Sequence, residues 1–422
     1  MKVLHVIPSI AAVRGGPSQA VLQMVKALRG QGVDAEIATT NDNGAKLLDV
    51  PLNHLTEYPV HPGTVPIRFF HRFSPTIAPL REFAFSSPLT DWLGQHINHY
   101  DLVHIHAIFS YPSTVAMTMA RSRQIPYIVR PLGQLCHWSL QQGSLKKQLY
   151  LSLIERANLK GSAALHFTST QEQAEANQLE MAFNGFVVPH GLDLPAIIPN
   201  ARQKLCKQLA TQSSASNPVI APDQPIITFL SRLHPKKGLD TLITALAMLK
   251  TNSFQFVIAG TGTPDYETEI DRLLTQSGLQ TRTHRIGFVE GEQKDLLLQG
   301  SDLFALTSHS ENFGIAVLEA LASGLPVLTT PGVALSTVVQ QHNLGWVVDQ
   351  CPQAIAHAIE QTLQHPEQLA TKRDRARQMV QQQFTWDKIA QDLIHQYETA
   401  QWSTVNRQWS LFNGHSSIVS SQ

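Results

Sequence analysis

Short runs rich in β-branched residues alternate with amphipathic runs, and the alternation occurs twice along this 422-residue chain. KVLHVIP is followed by the helical pattern PSQAVLQMVKALRGQG and then by DAEIATT; DLVHIHA, IPYIVRP, AALHFTS and GFVVPHG continue the series of strands. Strands separated by helices pair in parallel, because the crossover returns the chain to the same end of the sheet. After a stretch rich in Pro, Gln, Ser and Ala, the pattern restarts in PIITFLS, FQFVIAG, HRIGFV, SDLFALTS, LPVLTT and GWVVD. The fold class is therefore α/β, with two doubly wound units at 1–195 and 218–383 and a linker at 196–217. The cleft between two such units is the default place for a ligand. WDKIAQDLIHQYETAQW reads as a last amphipathic helix, 384–402, and 403–422 as a disordered tail.

Charge narrows the function. Charged residues make up 15% of the chain and the formal net charge is zero, which disfavours a general polyanion binder, so nucleic acid is not an expected partner. MKVLHVIPSI runs straight into a Gly/Pro loop and reads as a first buried strand, and no run reaches the roughly 18 apolar residues of a membrane span. A cytoplasmic protein is expected. Cys136, Cys206 and Cys351 are far apart and lack CxxC spacing, so buried reduced thiols are expected rather than a disulfide or a zinc site.

Several loops at strand ends carry chemistry. In PSIAAVRGGPSQA, Gly15 and Gly16 can let backbone N–H groups approach an anion at a helix start, although a Gly-Gly turn also serves as a plain turn. The dinucleotide fingerprint G-x-G-x-x-G is absent there. DLVHIHA puts His104 and His106 on one face of a strand, with His106 nearer its end. Such a pair can bind a metal, handle a proton or simply be satisfied in the core; no third ligand follows at a recognisable spacing, and no metal is expected. In FLSRLHPKKGLDTLITAL, Arg232 and Lys237 stand between a strand end and a helix start, where both can reach one diphosphate or remain a solvated basic turn.

SHSENFGIAVLEALASGLPVLTT, residues 308–330, is an apolar helix pattern that nonetheless carries Glu311 and Glu319. The expected helix follows HSEN and closes at Gly324 and Pro326, with Glu311 just before it and Glu319 two turns inside. Eight residues at about 1.5 Å each separate the two carboxylates by roughly 12 Å, comparable to the two ends of a nucleotide sugar. Burying a carboxylate in such a helix is costly unless a ligand or a neighbour hydrogen-bonds to it.

Together SENFGIAVLEALASGLPVL, SRLHPKKGLDTL, RGGPSQAVLQMVKALRGQGV, DLVHIH and VVPHGLD resemble glycosyltransferase family four, the retaining nucleotide-sugar transferases of GT-B architecture, over roughly residues 1–400. The resemblance implies two Rossmann-like domains facing a central cleft, with the first on the acceptor side, the second holding the nucleotide sugar, and the last helix packing back on the first. It implies that Glu319 holds the ribose, that Arg232 and Lys237 hold the diphosphate, and that Glu311 holds the hydroxyls of the transferred sugar, a hexose. Phe313 and Gly314 would offer backbone amides, Gly15 and Gly16 would close on the phosphates, and His106 would hydrogen-bond the donor sugar. It implies retention of anomeric configuration with no cofactor and no metal, consistent with the absence of a DxD motif. Ser231, Asn312 and His190 depart from the family's usual Gly, Gly and Asn, which bears on loop conformation and donor identity and removes no charged group.

The expected partners are a nucleoside-diphosphate sugar and a glycan or lipid-linked acceptor, in polysaccharide or glycolipid assembly. A sugar-nucleotide epimerase of the same architecture and a non-catalytic sugar-nucleotide-binding subunit are the alternatives. Between Ile67 and Lys160 ten lysines and arginines face four acids, interleaved with aromatics in IRFFHRF and PLREFAF. An excess of this sign suits peripheral contact with the inner face of an anionic membrane.

Overall fold

The computed structural model describes residues 1–141, 144–179, 181–212, 224–251 and 253–413. The chain divides into two compact units, one formed by Met1–Gly191 and the chain from Trp386 onward, the other by Leu192–Thr385.

The first unit is built on eight strands: β1 (Lys2–Val6), β2 (Asp34–Thr40), β3 (Leu55–Pro59), β4 (Thr64–Phe70), β5 (Leu102–His106), β6 (Tyr127–Arg130), β7 (Ala164–Phe167) and β8 (Gly185–Val187). Their spatial order is β8-β7-β6-β5-β1-β2-β4-β3, parallel throughout except for the β3/β4 edge pair. Strands covered on both faces read as unbroken apolar runs. Accordingly Val3 of β1 joins one buried cluster and Leu4 the cluster on the opposite face. Helix α1 (Gly16–Gly30) follows β1, with Pro17 in its first turn.

In the second unit, helix α2 (Ala201–Gln212) precedes β9 (Ile226–Leu230), β10 (Gln255–Ala259), β11 (Thr283–Gly287), β12 (Leu303–Leu306), β13 (Val327–Thr329) and β14 (Gly345–Val347). The order β11-β10-β9-β12-β13-β14 is all parallel. Helix α3 (Gly291–Gly300) leads into β12, and α4 (Ile315–Ala322) follows it. The last described element is α5 (Trp386–Asn413), whose Trp386, Ile389, Leu393 and Tyr397 join the cluster of the first unit that contains Val3.

Four expectations change. Within the expected linker, Ala201–Gln212 is helical, because Ala201, Leu205 and Leu209 recur every four residues and bury one stripe in a polar sequence. The last helix runs past 402 to Asn413, so part of the expected tail is helical; 414–422 lies outside the described residues. IRFFHRF is largely a buried strand: Phe69, Phe70 and Arg72 are inside, so of its aromatics only Phe73, beyond the strand end, is left exposed for a membrane. The three cysteines are free but only half-buried.

Candidate active site

In the second unit the exits of β9 and β12 are pressed together by glycine. Gly238 has φ 66°, and a Cβ there would stand 2.0 Å from the Thr307 carbonyl oxygen, so only glycine lets the Pro235–Lys237 turn lie against that strand end. The approach puts Lys237 on Glu311, and the ammonium contacts the carboxylate directly. Arg232, one turn of chain earlier, is exposed. The backbone of Glu311 is pinned: its N–H donates to Gly332 O at 2.7 Å, and its carbonyl accepts from Ala334 N at 3.1 Å.

Gly314, with φ 96°, turns the chain into α4, whose first N–H groups have no partner within the helix itself. Glu319 is the fifth residue of α4, one turn inside and not two, because the helix starts at Ile315. The Phe313 ring is buried and faces Phe384 at 6.4 Å. Glu319 also has a lysine: Lys294 Nζ of α3 lies 2.6 Å from its Oε1. Each half-buried carboxylate is thus held by one cation and keeps an oxygen for further hydrogen bonds.

In the first unit a row of polar groups interrupts the apolar strands. The register pairs His5 of β1 with His104 of β5, and His106 with Arg130 of β6. All four side chains are fully buried. His5 Nδ1 and His106 Nε2 are 3.0 Å apart; His104 bonds Tyr397 Oη of α5 at 2.7 Å and His166 at 3.2 Å; Arg130 donates to His190 at 3.0 Å. Burial, reinforced by the Arg130 charge, lowers the pKa of His5 to about 3, and holds those of His106, His166 and His190 well below the usual range. His104 is depressed in the same direction by burial and by its neighbouring imidazoles. His106 is therefore a neutral hydrogen-bonding group inside a network.

The ligand atoms of His5, His104 and His106 lie within 4.8 Å of one another, a grouping that can bind a metal. A cation there would have to take a ring nitrogen of His104 from Tyr397 or His166, beside the buried Arg130 guanidinium. The arrangement favours the hydrogen-bonded network.

Of the residues singled out from the sequence, Arg232, Lys237, Glu311, Phe313, Gly314 and Glu319 belong to the second unit, and Gly15, Gly16 and His106 to the first. Gly15, at φ 79°, supplies the left-handed turn that starts α1. His5 and Lys294 were not legible as site neighbours. His5 reaches His106 only through strand pairing, and Lys294 lies in an unremarkable polar turn of α3.

Two doubly wound parallel units, with cations, a glycine turn and a helix N-terminus at the carboxyl ends of the second sheet, define the GT-B class of α/β protein. The chain matches Glycosyl transferase 4-like domain over residues 15–191 and Glycosyl transferases group 1 over residues 212–379. A D-inositol 3-phosphate glycosyltransferase of Jonesia denitrificans is 27% identical over 91% of this chain and 91% of its own length. TuaC of Bacillus subtilis, named for teichuronic acid biosynthesis, is 30% identical over 81% of this chain and 82% of its own. Among solved structures, HepE of Anabaena with UDP and glucose has a TM-score of 0.72 at 21% identity, covering 94% of this chain and 100% of that one. The chain belongs to the glycosyltransferases of the family-four type. It is an enzyme of glycosyl transfer, and the epimerase alternative is not favoured.

Proposed function

We propose that the enzyme transfers a hexose from a nucleoside-diphosphate sugar to a glycan or lipid-linked acceptor with retention of configuration and without a metal ion. The observation that carries this reading is the arrangement around α4, where Glu311 and Glu319 are each held by a lysine beside a helix N-terminus. Glu319 takes the ribose hydroxyls and Glu311 those of the sugar. Arg232 and Lys237 take the diphosphate, with the amides around Phe313 and Gly314 beside them. From the first unit, His106 serves as a neutral hydrogen-bonding group toward the sugar, and the Gly15 turn, whose own N–H donates to Ala12 O, presents the amide of Gly16 to phosphate. The acceptor oxygen bonds to C1 as the C1–O bond to the diphosphate breaks, and the hydroxyl proton leaves on the phosphate. Fixed cations and helix N–H groups stabilise the departing charge, the task a metal ion performs in other enzymes.

The test is a panel of nucleotide sugars offered with mixed acceptors, read as nucleoside diphosphate release before and after chelation. One donor should be turned over, with activity unchanged by the chelator. Binding without release from any donor, or epimer formation alone, would overturn the reading.

A peripheral membrane position is part of the proposal. No helix among the described residues is long and apolar enough to cross a membrane. Yet Leu145, Leu149 and Leu153 are 82%, 60% and 71% exposed at helical spacing, and Phe73, Ile77 and Leu80 are also outside. These apolar side chains share the stretch rich in lysine and arginine, although buried Arg72 and Arg130 drop out of its usable charge. The enzyme is expected to float with anionic liposomes at low salt and to be released as salt screens the attraction. Equal flotation with neutral liposomes would remove the electrostatic component.

A further inference from the structure

The first unit contains a cavity of about 300 Å³ at the carboxyl ends of β1, β2, β5 and β6, a volume at the small end of ligand pockets. Its wall is held under backbone strain. Ala84, Ala107, Phe109 and Leu132, all lining it, have φ of 57°, 67°, 58° and 56°, a region that non-glycine residues rarely enter. Such conformations persist where the surroundings over-determine them, and they concentrate at ligand sites.

The charge lining the cavity is one cation against two acids. Among the described residues that line the cavity, Arg14 is the sole lysine or arginine, and it is committed to two acids. Its Nε and Nη2 lie 2.6 and 2.8 Å from the two oxygens of Asp42, and its Nη1 lies 2.5 Å from Glu82. Asp42, nearly fully buried, is also bonded by Arg72 from outside the cavity. A phosphate or carboxylate entering here would meet two acids and no uncommitted cation, which repels it. Sugar hydroxyls suit the same groups. They donate to carboxylate oxygens and accept from Arg14 and from the amide of Gln134, whose oxygen is already taken by Ile108 N. The half-buried Phe109 ring gives the C–H face of a sugar an apolar surface.

We infer that this cavity seats the acceptor of the transfer reaction as an uncharged saccharide, with Arg14 clamped between Asp42 and Glu82 as the element that rejects anionic acceptors. The inference rests on the reading of the chain as a sugar transferase, and it sets the enzyme apart from relatives named for an inositol phosphate.

The experiment uses the full chain without donor, so that saccharide binding is read independently of transfer. Saturation-transfer NMR with neutral methyl disaccharides of glucose, galactose, mannose and N-acetylglucosamine is compared with inositol 3-phosphate and methyl glucuronide. At least one neutral disaccharide should bind at least tenfold more tightly than either anion. Glu82→Gln, on an exposed helix edge where folding is not at stake, frees one arm of Arg14 and should narrow that preference at least fivefold, whereas Glu82→Asp should keep it. Tighter binding of the anions, no binding of any saccharide, or a preference unchanged in Glu82→Gln would overturn the inference. Saccharide binding that persists when no nucleotide sugar is turned over would uphold the cavity's assignment as a neutral-saccharide site and count against the proposed donor chemistry instead.

Discussion

Glu311→Gln is expected to lower kcat on the order of a hundredfold, about 2.7 kcal/mol of transition-state stabilisation, while the donor KM changes little. The sugar becomes oxocarbenium-like as its bond to the diphosphate breaks, and a carboxylate beside the ring favours the developing positive charge more than the ground state. The Lys237 contact sharpens the expectation. With a neutral amide opposite it, Lys237 is released toward the diphosphate, so the free nucleoside diphosphate should bind Glu311→Gln at least as well as the wild type. Glu319→Gln should behave differently, because ribose contacts hardly change along the reaction. It should raise the donor KM about tenfold to a hundredfold with kcat nearly constant, and weaken the free nucleotide in parallel. Steady-state kinetics on both variants, with calorimetric titration of the nucleotide, separates the roles. Equal weakening of nucleotide binding by the two substitutions would show that the carboxylates do not divide the donor between them.

What could be read in advance followed from local pattern. DAEIATT coincides with β2, and IITFL and LFAL, largely apolar on both faces as central parallel strands are, coincide with β9 and β12. α2 escaped because its apolar stripe is only Ala201, Leu205 and Leu209 within a polar run, too sparse to outweigh the linker-like composition that follows. The β3/β4 pair escapes because the charges and rings of IRFFHRF mask a strand whose Val65, Ile67 and Phe69 feed one core cluster and Phe70 the other. At the site, glycine turns and acids in an apolar helix left a local signal. Partners that arrive by tertiary pairing left none: His5 depends on a register between β1 and β5, and Lys294 on how α3 meets α4. The cation partners of the two glutamates thus became visible only in the folded chain.

The buried imidazoles make acid stability the most sensitive bulk property of this enzyme. His5, His104, His106, His166 and His190 are buried and depressed below the ordinary histidine value, chiefly by desolvation, and Arg130 adds repulsion at each. A histidine whose pKa is lower folded than unfolded binds fewer protons in the native state, so the stability it contributes is full above the unfolded value of about 6.5 and lost as pH falls below it. The loss continues until the folded pKa is reached, about 3 for His5. Every group of the five that stays neutral in the native state adds to this loss, so their clustering in one unit makes the fall steep. Thermal melts followed by circular dichroism should therefore be nearly level from pH 8 to 7 and fall steeply between pH 6.5 and 5, well above the range where carboxylates titrate. Because the five groups lie in the first unit and Tyr397 of α5 closes over His104, near-ultraviolet signals from Trp386 should be lost in the same transition. A melting temperature unchanged between pH 7.5 and 5.5 would mean that these imidazoles can be protonated in the native state, and that the network does not hold His106 neutral.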